Sequence, residues 1–261
     1  MSLQGRVAVI TGGGSGIGRA TALRFARDGA KIAVVGRTKD ALKESAGEIE
    51  RAGGEGLVVE ADISKPDQMR SAMEKVVSQW GRIDAVFANA GVNGTWAPIE
   101  DLDIDEWDQT ISINLSGTFY TLKYAVPHLK KQGGSIIINS SMNGTRVFSN
   151  TGATAYASTK AAQVAMAKML ALELAGSGIR VNVICPGAIE TSIEENTEQR
   201  GTEEMGVPVE FPEGWHPLRG EPGSSEDVAD LVHFLASDAA RHITGTELWI
   251  DGGESLIGIK G

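Results

Sequence analysis

The sequence predicts a doubly wound α/β fold: a seven-stranded parallel sheet with helices on both faces. Three observations predict it. Short β-branched runs alternate with helix-length periodic segments along all 261 residues. Those runs are apolar on both faces rather than alternating, as strands covered on each side are. A glycine-rich turn closes the first run, at the carboxyl end where such sheets bind ligands.

In chain order the strands are expected at 7–11, 32–35, 56–60, 85–88, 135–139, 180–184 and 247–250. Helical periods fill 17–28, 39–52, 66–80, 106–131, 154–176 and 225–237. Repeated strand–helix–strand units with right-handed crossovers stack these into one open sheet. No linker, repeat or low-complexity tract divides the chain, so residues 1–261 are expected to form a single domain. One segment breaks the rhythm. Residues 188–224 hold Pro208, Pro212, Pro217 and Pro222 with many Glu and no clean period. A long irregular insert after the sixth strand is expected to act as a substrate lid.

Composition narrows the partners. Lys and Arg number 24 against 34 Asp and Glu, a net charge of −10. Nucleic acid and anionic membrane surfaces both want the opposite balance. The longest apolar helical stretch, 161–175, is interrupted by Gln163, Lys168 and Glu173, so no span of a bilayer is expected. Cys185, the single cysteine, sits in an apolar run and reads as a buried, inert thiol. His128, His216, His233 and His242 show no metal-ligand spacing, and no metal is expected. The chain runs almost at once into its first strand, so a cytoplasmic enzyme without a secretory leader is expected.

The glycine turn reads Thr11-Gly12-Gly13-Gly14-Ser15-Gly16-Ile17-Gly18 and opens a helix. Such a turn brings backbone N–H groups against a pyrophosphate at the positive helix end. The spacing Gly12-x-x-x-Gly16-x-Gly18 differs from the general dinucleotide fingerprint, whose glycines fall as G-x-G-x-x-G. About twenty residues on, NAD wants a carboxylate for its ribose 2′-OH and NADP wants an Arg. Here stands Val35-Gly36-Arg37-Thr38, with Arg37 as a planar phosphate clamp and the Thr38 hydroxyl beside it. That favours NADP over NAD; the alternative is an Arg37 that is solvated, or stacked on adenine while NAD binds.

Tyr156 and Lys160 are four apart in a helical pattern and leave the same face. An unperturbed tyrosine, with a pKa near 10, is a poor base at neutral pH. The Lys160 ammonium, together with the positive ring of an oxidised nicotinamide cofactor, is expected to stabilise the phenolate and lower that pKa; alone, a Tyr and Lys at this spacing read as a solvated helix face.

Together with Asn89-Ala90-Gly91, Asn114, Ser140-Ser141, Pro186-Gly187 and Asp251-Gly252-Gly253, these motifs resemble the classical short-chain dehydrogenase/reductase family over essentially the whole chain. The resemblance implies a Rossmann fold and hydride transfer between a nicotinamide cofactor and an alcohol/carbonyl pair, and it too points to NADP. It casts Tyr156 as general acid/base, Lys160 as the holder of the nicotinamide ribose and Asn114 as the holder of a relay water. It casts Ser141 as the group polarising the carbonyl. Ser140 remains the alternative, because Asn139-Ser140-Ser141 lacks the family's intervening residue. It further implies cofactor contacts from Gly12, Gly14, Ser15, Gly16, Ile17, Gly18, Asp62, Ile63, Asn89, Ala90, Gly91, Pro186, Gly187, Ile189 and Thr191, with Ser192 able to replace Thr191. Family members also pair late helices across two-fold axes, which implies a homotetramer built on 161–175.

Three other readings compete. A non-catalytic cofactor sensor would have no need of the Asn114, Ser141, Tyr156, Lys160 set. A nucleotide-sugar epimerase would have a longer chain and another loop spacing. A 3-oxoacyl reductase would accept an acidic acyl carrier protein. The insert carries Glu190, Glu194, Glu195, Glu198, Glu203, Glu204, Glu210 and Glu213 against Arg200 and Arg219, a surface that would repel such a carrier. A free small-molecule substrate, such as a sugar, a steroid-like alcohol or another secondary alcohol, is expected instead; a merely solvated acidic loop is the plainer explanation of those charges.

Overall fold

Every central strand carries apolar side chains on both faces, and the fold uses both. In the computed structural model, which describes residues 2–191, 197–203, 205 and 216–257, the strands are β1 (Val7–Thr11), β2 (Lys31–Gly36), β3 (Glu55–Glu60), β4 (Ala85–Ala88), β5 (Thr95–Trp96), β6 (Gly134–Asn139), β7 (Ile179–Pro186), β8 (Glu198–Gln199) and β9 (Glu247–Ile250). Seven form one sheet in the order β3-β2-β1-β4-β6-β7-β9, parallel at every pairing. The order reverses between β1 and β4, so a crevice opens beyond Thr11 and Ala88, where open α/β sheets take their ligands.

The helices are α1 (Gly16–Ala26), α2 (Lys39–Arg51), α3 (Pro66–Trp80), α4 (Ile104–Thr110), α5 (Gly117–Leu129), α6 (Thr154–Ala175) and α7 (Ser225–Ala236). Val7 and Val9 of β1 face Met69 and Met73 of α3, Leu122 of α5 and Leu174 of α6. Ala8 and Ile10 of the same strand face Phe25 of α1, Leu42 of α2 and Val232 of α7. Fully burying each such side chain is worth roughly 1.5–3 kcal/mol, so both faces anchor the sheet. The helix α3 shows why local signals sufficed there. Pro66 starts it without a missing hydrogen bond, and Gly81 ends it at φ 79°, a left-handed cap that favours glycine.

Two expectations need correction. The helix expected over 106–131 is three pieces: α4, a π-helical turn over Ile111–Ser116, and α5. The π turn exposes the carbonyl of Asn114, which accepts from the Thr118 hydroxyl at 2.7 Å and the Gln163 amide at 2.8 Å. The insert over 188–224 is not wholly irregular, since Glu198–Gln199 pair with Thr95–Trp96 in a two-stranded ladder. Ser192, Glu194, Glu195, Glu204, Pro208, Glu210, Pro212 and Glu213 lie outside the described residues. Among the described residues no helix is long and apolar enough to cross a membrane.

Candidate active site

The crevice between β1 and β4 is built first from glycines. Gly12 turns the chain at φ 67°, and a Cβ on Gly18 would stand 2.1 Å from the Gly12 carbonyl, so nothing larger fits at that crossing. Gly14 lies against Ala41 of α2. Ser15 precedes α1 without capping it, and no acid stands in that helix's first turn. The backbone N–H groups at this positive end are therefore not countered by a carboxylate of their own helix. Ile17, partly buried, packs on the core beneath.

Thr11 ties the loop to β4. Its hydroxyl accepts from the Asn89 and Ala90 amides at 3.0 and 3.1 Å, while the Asn89 side chain donates to the Thr11 carbonyl at 3.0 Å. Asn139, at the end of β6, donates to Asn89 Oδ1 at 2.9 Å. Its own Oδ1 is buried without a hydrogen-bond partner among the described residues. Across the crevice Gly91 separates two polar groups: a Cβ there would lie 3.1 Å from Asn114 Oδ1 and 3.7 Å from Lys160 Nζ.

At the other end of the crevice, Arg37 is exposed after β2 and Thr38 starts α2. Asp62 follows β3. Burial pushes its carboxyl up, but hydrogen bonds from the Ser64 hydroxyl and amide, with the Arg37 charge behind them, hold it below the usual range. It caps Ser64 rather than α3, whose first turn follows Lys65. Ile63 is buried against the backbone of Gly117. From Pro186, the last residue of β7, the chain runs through Gly187 to Ile189, which bridges Gly223, and Thr191, whose methyl would lie 3.4 Å from a Cβ on Gly16. Thr191 thus borders the loop. A glycine turn at an uncapped helix start, a threonine closing on it and a buried orphan amide oxygen fit a dinucleotide.

The side chains expected to carry the chemistry meet at the end of β6. Lys160 is 4 % exposed and Tyr156 is also buried, one turn apart on α6. Lys160 Nζ donates to the Asn139 carbonyl at 2.8 Å and lies 5.4 Å from the Tyr156 ring centre. Burial pulls its pKa down to about 8. Burial also pushes the Tyr156 phenol up, against a hydrogen bond with Ser141 that pulls it down. For the protein alone, desolvation outweighs the Ser141 hydrogen bond, and the Lys160 ammonium is engaged with a backbone oxygen; the expected lowering, which also invokes the oxidised nicotinamide ring, concerns the cofactor complex.

The two serines are separated by what they touch. Ser140 donates to the Lys160 carbonyl at 2.8 Å and is spent on α6, while Ser141 accepts from the Asn143 amide at 3.1 Å and meets Tyr156. Ser141→Ala should therefore cost more turnover than Ser140→Ala when both are assayed side by side. The reverse order would put Ser140 at the substrate. Asn114, fully buried, is satisfied by both backbone groups of Val92 and by Thr159. Its carbonyl already holds two donors, so a relay water on that oxygen would have to displace Thr118 or Gln163. Thr11, Asn139, Thr159 and Gln163 were not singled out from the sequence. Asn139 stood in the quoted Asn-Ser-Ser run, and the others carry no local signal.

Known proteins share this architecture. A family model described as Enoyl-(Acyl carrier protein) reductase matches residues 12–255. The chain belongs to the short-chain dehydrogenase/reductase family. A solved 3-ketoacyl-ACP reductase from Sinorhizobium meliloti 1021 is 54% identical, with a TM-score of 0.91 over 96% of this chain and 99% of that one. A 3-ketoacyl-(acyl-carrier-protein) reductase from Brucella melitensis, solved with NADH, is 33% identical at TM-score 0.86, covering 97% of this chain and 100% of that one. The cyclohexanol dehydrogenase of Acinetobacter sp. (strain SE19) is 35% identical over 95% of this chain and 94% of its own length. This short-chain dehydrogenase/reductase is an NAD(P)-dependent enzyme of the alcohol/carbonyl couple.

Proposed function

We propose that the chain is one Rossmann-type domain, residues 1–261, that uses NADP to interconvert free secondary alcohols and ketones, with Tyr156 as general acid and base. The observation that carries this reading is the Tyr156–Ser141–Lys160 cluster at the end of β6, beside the glycine turn at the sheet's switch point. Bound, a nicotinamide cofactor supplies the hydride donor or acceptor. Ser141 holds the substrate oxygen, and Tyr156, protonated through the neutral range, gives that oxygen its proton. Lys160, charged below about pH 8, stabilises the phenolate left behind and holds the ribose. Asn114 fixes the 91–92 turn beneath Lys160, and protons returning to the site pass by way of Lys160. Gly12, Gly14, Ser15, Gly16, Ile17 and Gly18 hold the pyrophosphate with Thr191, while Asp62 and Ile63 border the adenine. Asn89, Ala90, Gly91, Pro186, Gly187 and Ile189 line the path between.

For the cofactor, Arg37 at the exposed end of β2 supports NADP. For the substrate, both described cations of the insert are already engaged: Arg200 with Glu106 at 2.9 Å and Arg219 with Asp227 at 3.4 Å. What they leave on residues 188–224 is acid, which supports a small molecule over an acidic carrier. One experiment tests both: rates with free ketones and with a carrier-bound 3-oxoacyl thioester, each with NADPH and NADH, in wild type and Arg37→Ala. NADPH should win by about one to two orders of magnitude in wild type, and Arg37→Ala should erase most of that gap without changing the NADH rates. Faster turnover of the carrier thioester, or equal use of NADH, would overturn the corresponding half.

We also propose a homotetramer in a reducing, cytoplasmic setting. Met169 and Leu172 of α6 are 71 % and 84 % exposed, and Phe119 of α5 is 47 % exposed, an apolar surface that a second copy would cover. Light scattering should give four times the chain mass at micromolar concentration; a monomer mass would remove the proposal. The buried, unpaired thiol of Cys185, pushed up to about 11 by burial, suits that setting.

A further inference from the structure

The Asp251-Gly252-Gly253 turn has no part in the mechanism above, yet it is built to deliver one side chain. Asp251 accepts from the Gly253 and Ser255 amides at 3.1 Å each, and both glycines adopt positive φ, 56° and 89°. The turn so made aims Glu254, only 7 % exposed, back under the loop that leaves β7. There Glu254 Oε2 accepts from the Ala188 amide at 2.9 Å, and its other oxygen pairs with His216 Nδ1. Gly187 is required at this contact, because a Cβ on it would stand 2.7 Å from Glu254 Oε2 and 2.8 Å from the Asp251 Cα.

The same carboxylate therefore holds both arms of the insert. The outgoing arm is fixed at Ala188, three residues before Thr191, which borders Gly16 at the start of α1. The returning arm is fixed at His216, and the next two residues lie on the turn: Pro217 is 3.7 Å from a Cβ on Gly253, and Leu218 3.6 Å from one on Gly252. The arms also meet directly, with Gly223 N–H on the Ala188 carbonyl at 3.0 Å and Glu190 N–H on the Gly223 carbonyl at 2.9 Å. A buried carboxylate is costly unless satisfied, and here the backbone amide and the imidazole satisfy it.

We infer that Glu254, held by the Asp251 turn and paired with His216, is a positioning residue that sets the 187–191 loop against the glycine turn and so controls how tightly the pyrophosphate–nicotinamide half of the cofactor is held. Glu254 touches neither cofactor nor substrate; it acts through the Ala188 amide. The inference rests on the cofactor reading given above.

The test is equilibrium binding of two probes, NADPH and adenosine 2′,5′-bisphosphate, which lacks the half that Thr191 borders. Glu254→Leu should weaken NADPH about tenfold, the size of one lost buried hydrogen bond, and leave the bisphosphate unchanged. Glu254→Gln keeps a carbonyl oxygen for the Ala188 amide and should bind NADPH within about twofold of wild type. His216→Ala, which removes the second anchor while leaving Glu254 on Ala188, should weaken NADPH about threefold with the bisphosphate again unchanged, and it serves if Glu254→Leu does not fold. Equal loss of both probes would mark a general structural role and overturn the inference, as would unchanged NADPH affinity in Glu254→Leu and His216→Ala. If wild type bound neither probe, the cofactor reading would fall and this inference with it.

Discussion

Replacing Lys160 by Met should lower turnover at least about a hundredfold and remove the alkaline limb of the pH profile for ketone reduction. The size follows from what general acid–base catalysis contributes when its supporting charge is lost. The limb follows from the buried ammonium, whose pKa burial brings to about 8. In the proposed mechanism, reduction consumes the Tyr156 proton and leaves a phenolate, which the charged form of Lys160 stabilises. The wild-type rate should therefore be level below about pH 7 and fall as pH rises through about 8, because the lysine, not the phenol, titrates first: burial has moved the two in opposite directions, lysine down and tyrosine up. A reduction rate that rose through pH 8 would mean that neutral Lys160 is the working form. Lys160→Arg, which keeps the charge at any accessible pH, should lose the limb even where its rate is low.

Much of the sheet was legible because its signals are local. The strands at Val7–Thr11, Ala85–Ala88 and Glu247–Ile250 fall where apolar runs end in Gly, Asn or Asp, and α3 runs over the same 66–80 that its Pro66 and Gly81 punctuation implied. The break around Asn114 could not be read the same way. Apolar periodicity continues through Ile111–Ser116, and the π turn depends on a donor from α6, Gln163, 49 residues away. The ladder of Thr95–Trp96 on Glu198–Gln199 is two residues long, too short to show any period. The site divides likewise. Tyr156 with Lys160 and the glycine turn are each weak signals alone, and become legible as a set with Asn89, Asn114 and the serine pair. Ser140 and Ser141 are chemically identical neighbours; tertiary packing distinguishes them, by setting the Lys160 carbonyl against one and Tyr156 against the other. The upward shift of the Tyr156 phenol in the protein alone was not legible for a related reason. Spacing gave the nearness of the ammonium, but not the burial of both groups nor the Asn139 carbonyl that takes up the charge.

Tyr156→Phe tests the central claim most directly, because it removes one oxygen from the ring that Ser141 meets and leaves the glycine turn, Asn89, Asn139 and Lys160 in place. The measurement is turnover and cofactor dissociation constant on the same preparation, with a ketone that wild type reduces. The phenol is the donor proposed for the substrate oxygen because it meets Ser141, whereas the Lys160 ammonium donates to the Asn139 carbonyl. Turnover should fall at least about a hundredfold, with NADPH affinity within about threefold of wild type and the melting temperature little changed. Near-normal turnover in Tyr156→Phe, with cofactor still bound, would contradict the account and require another proton donor at the end of β6.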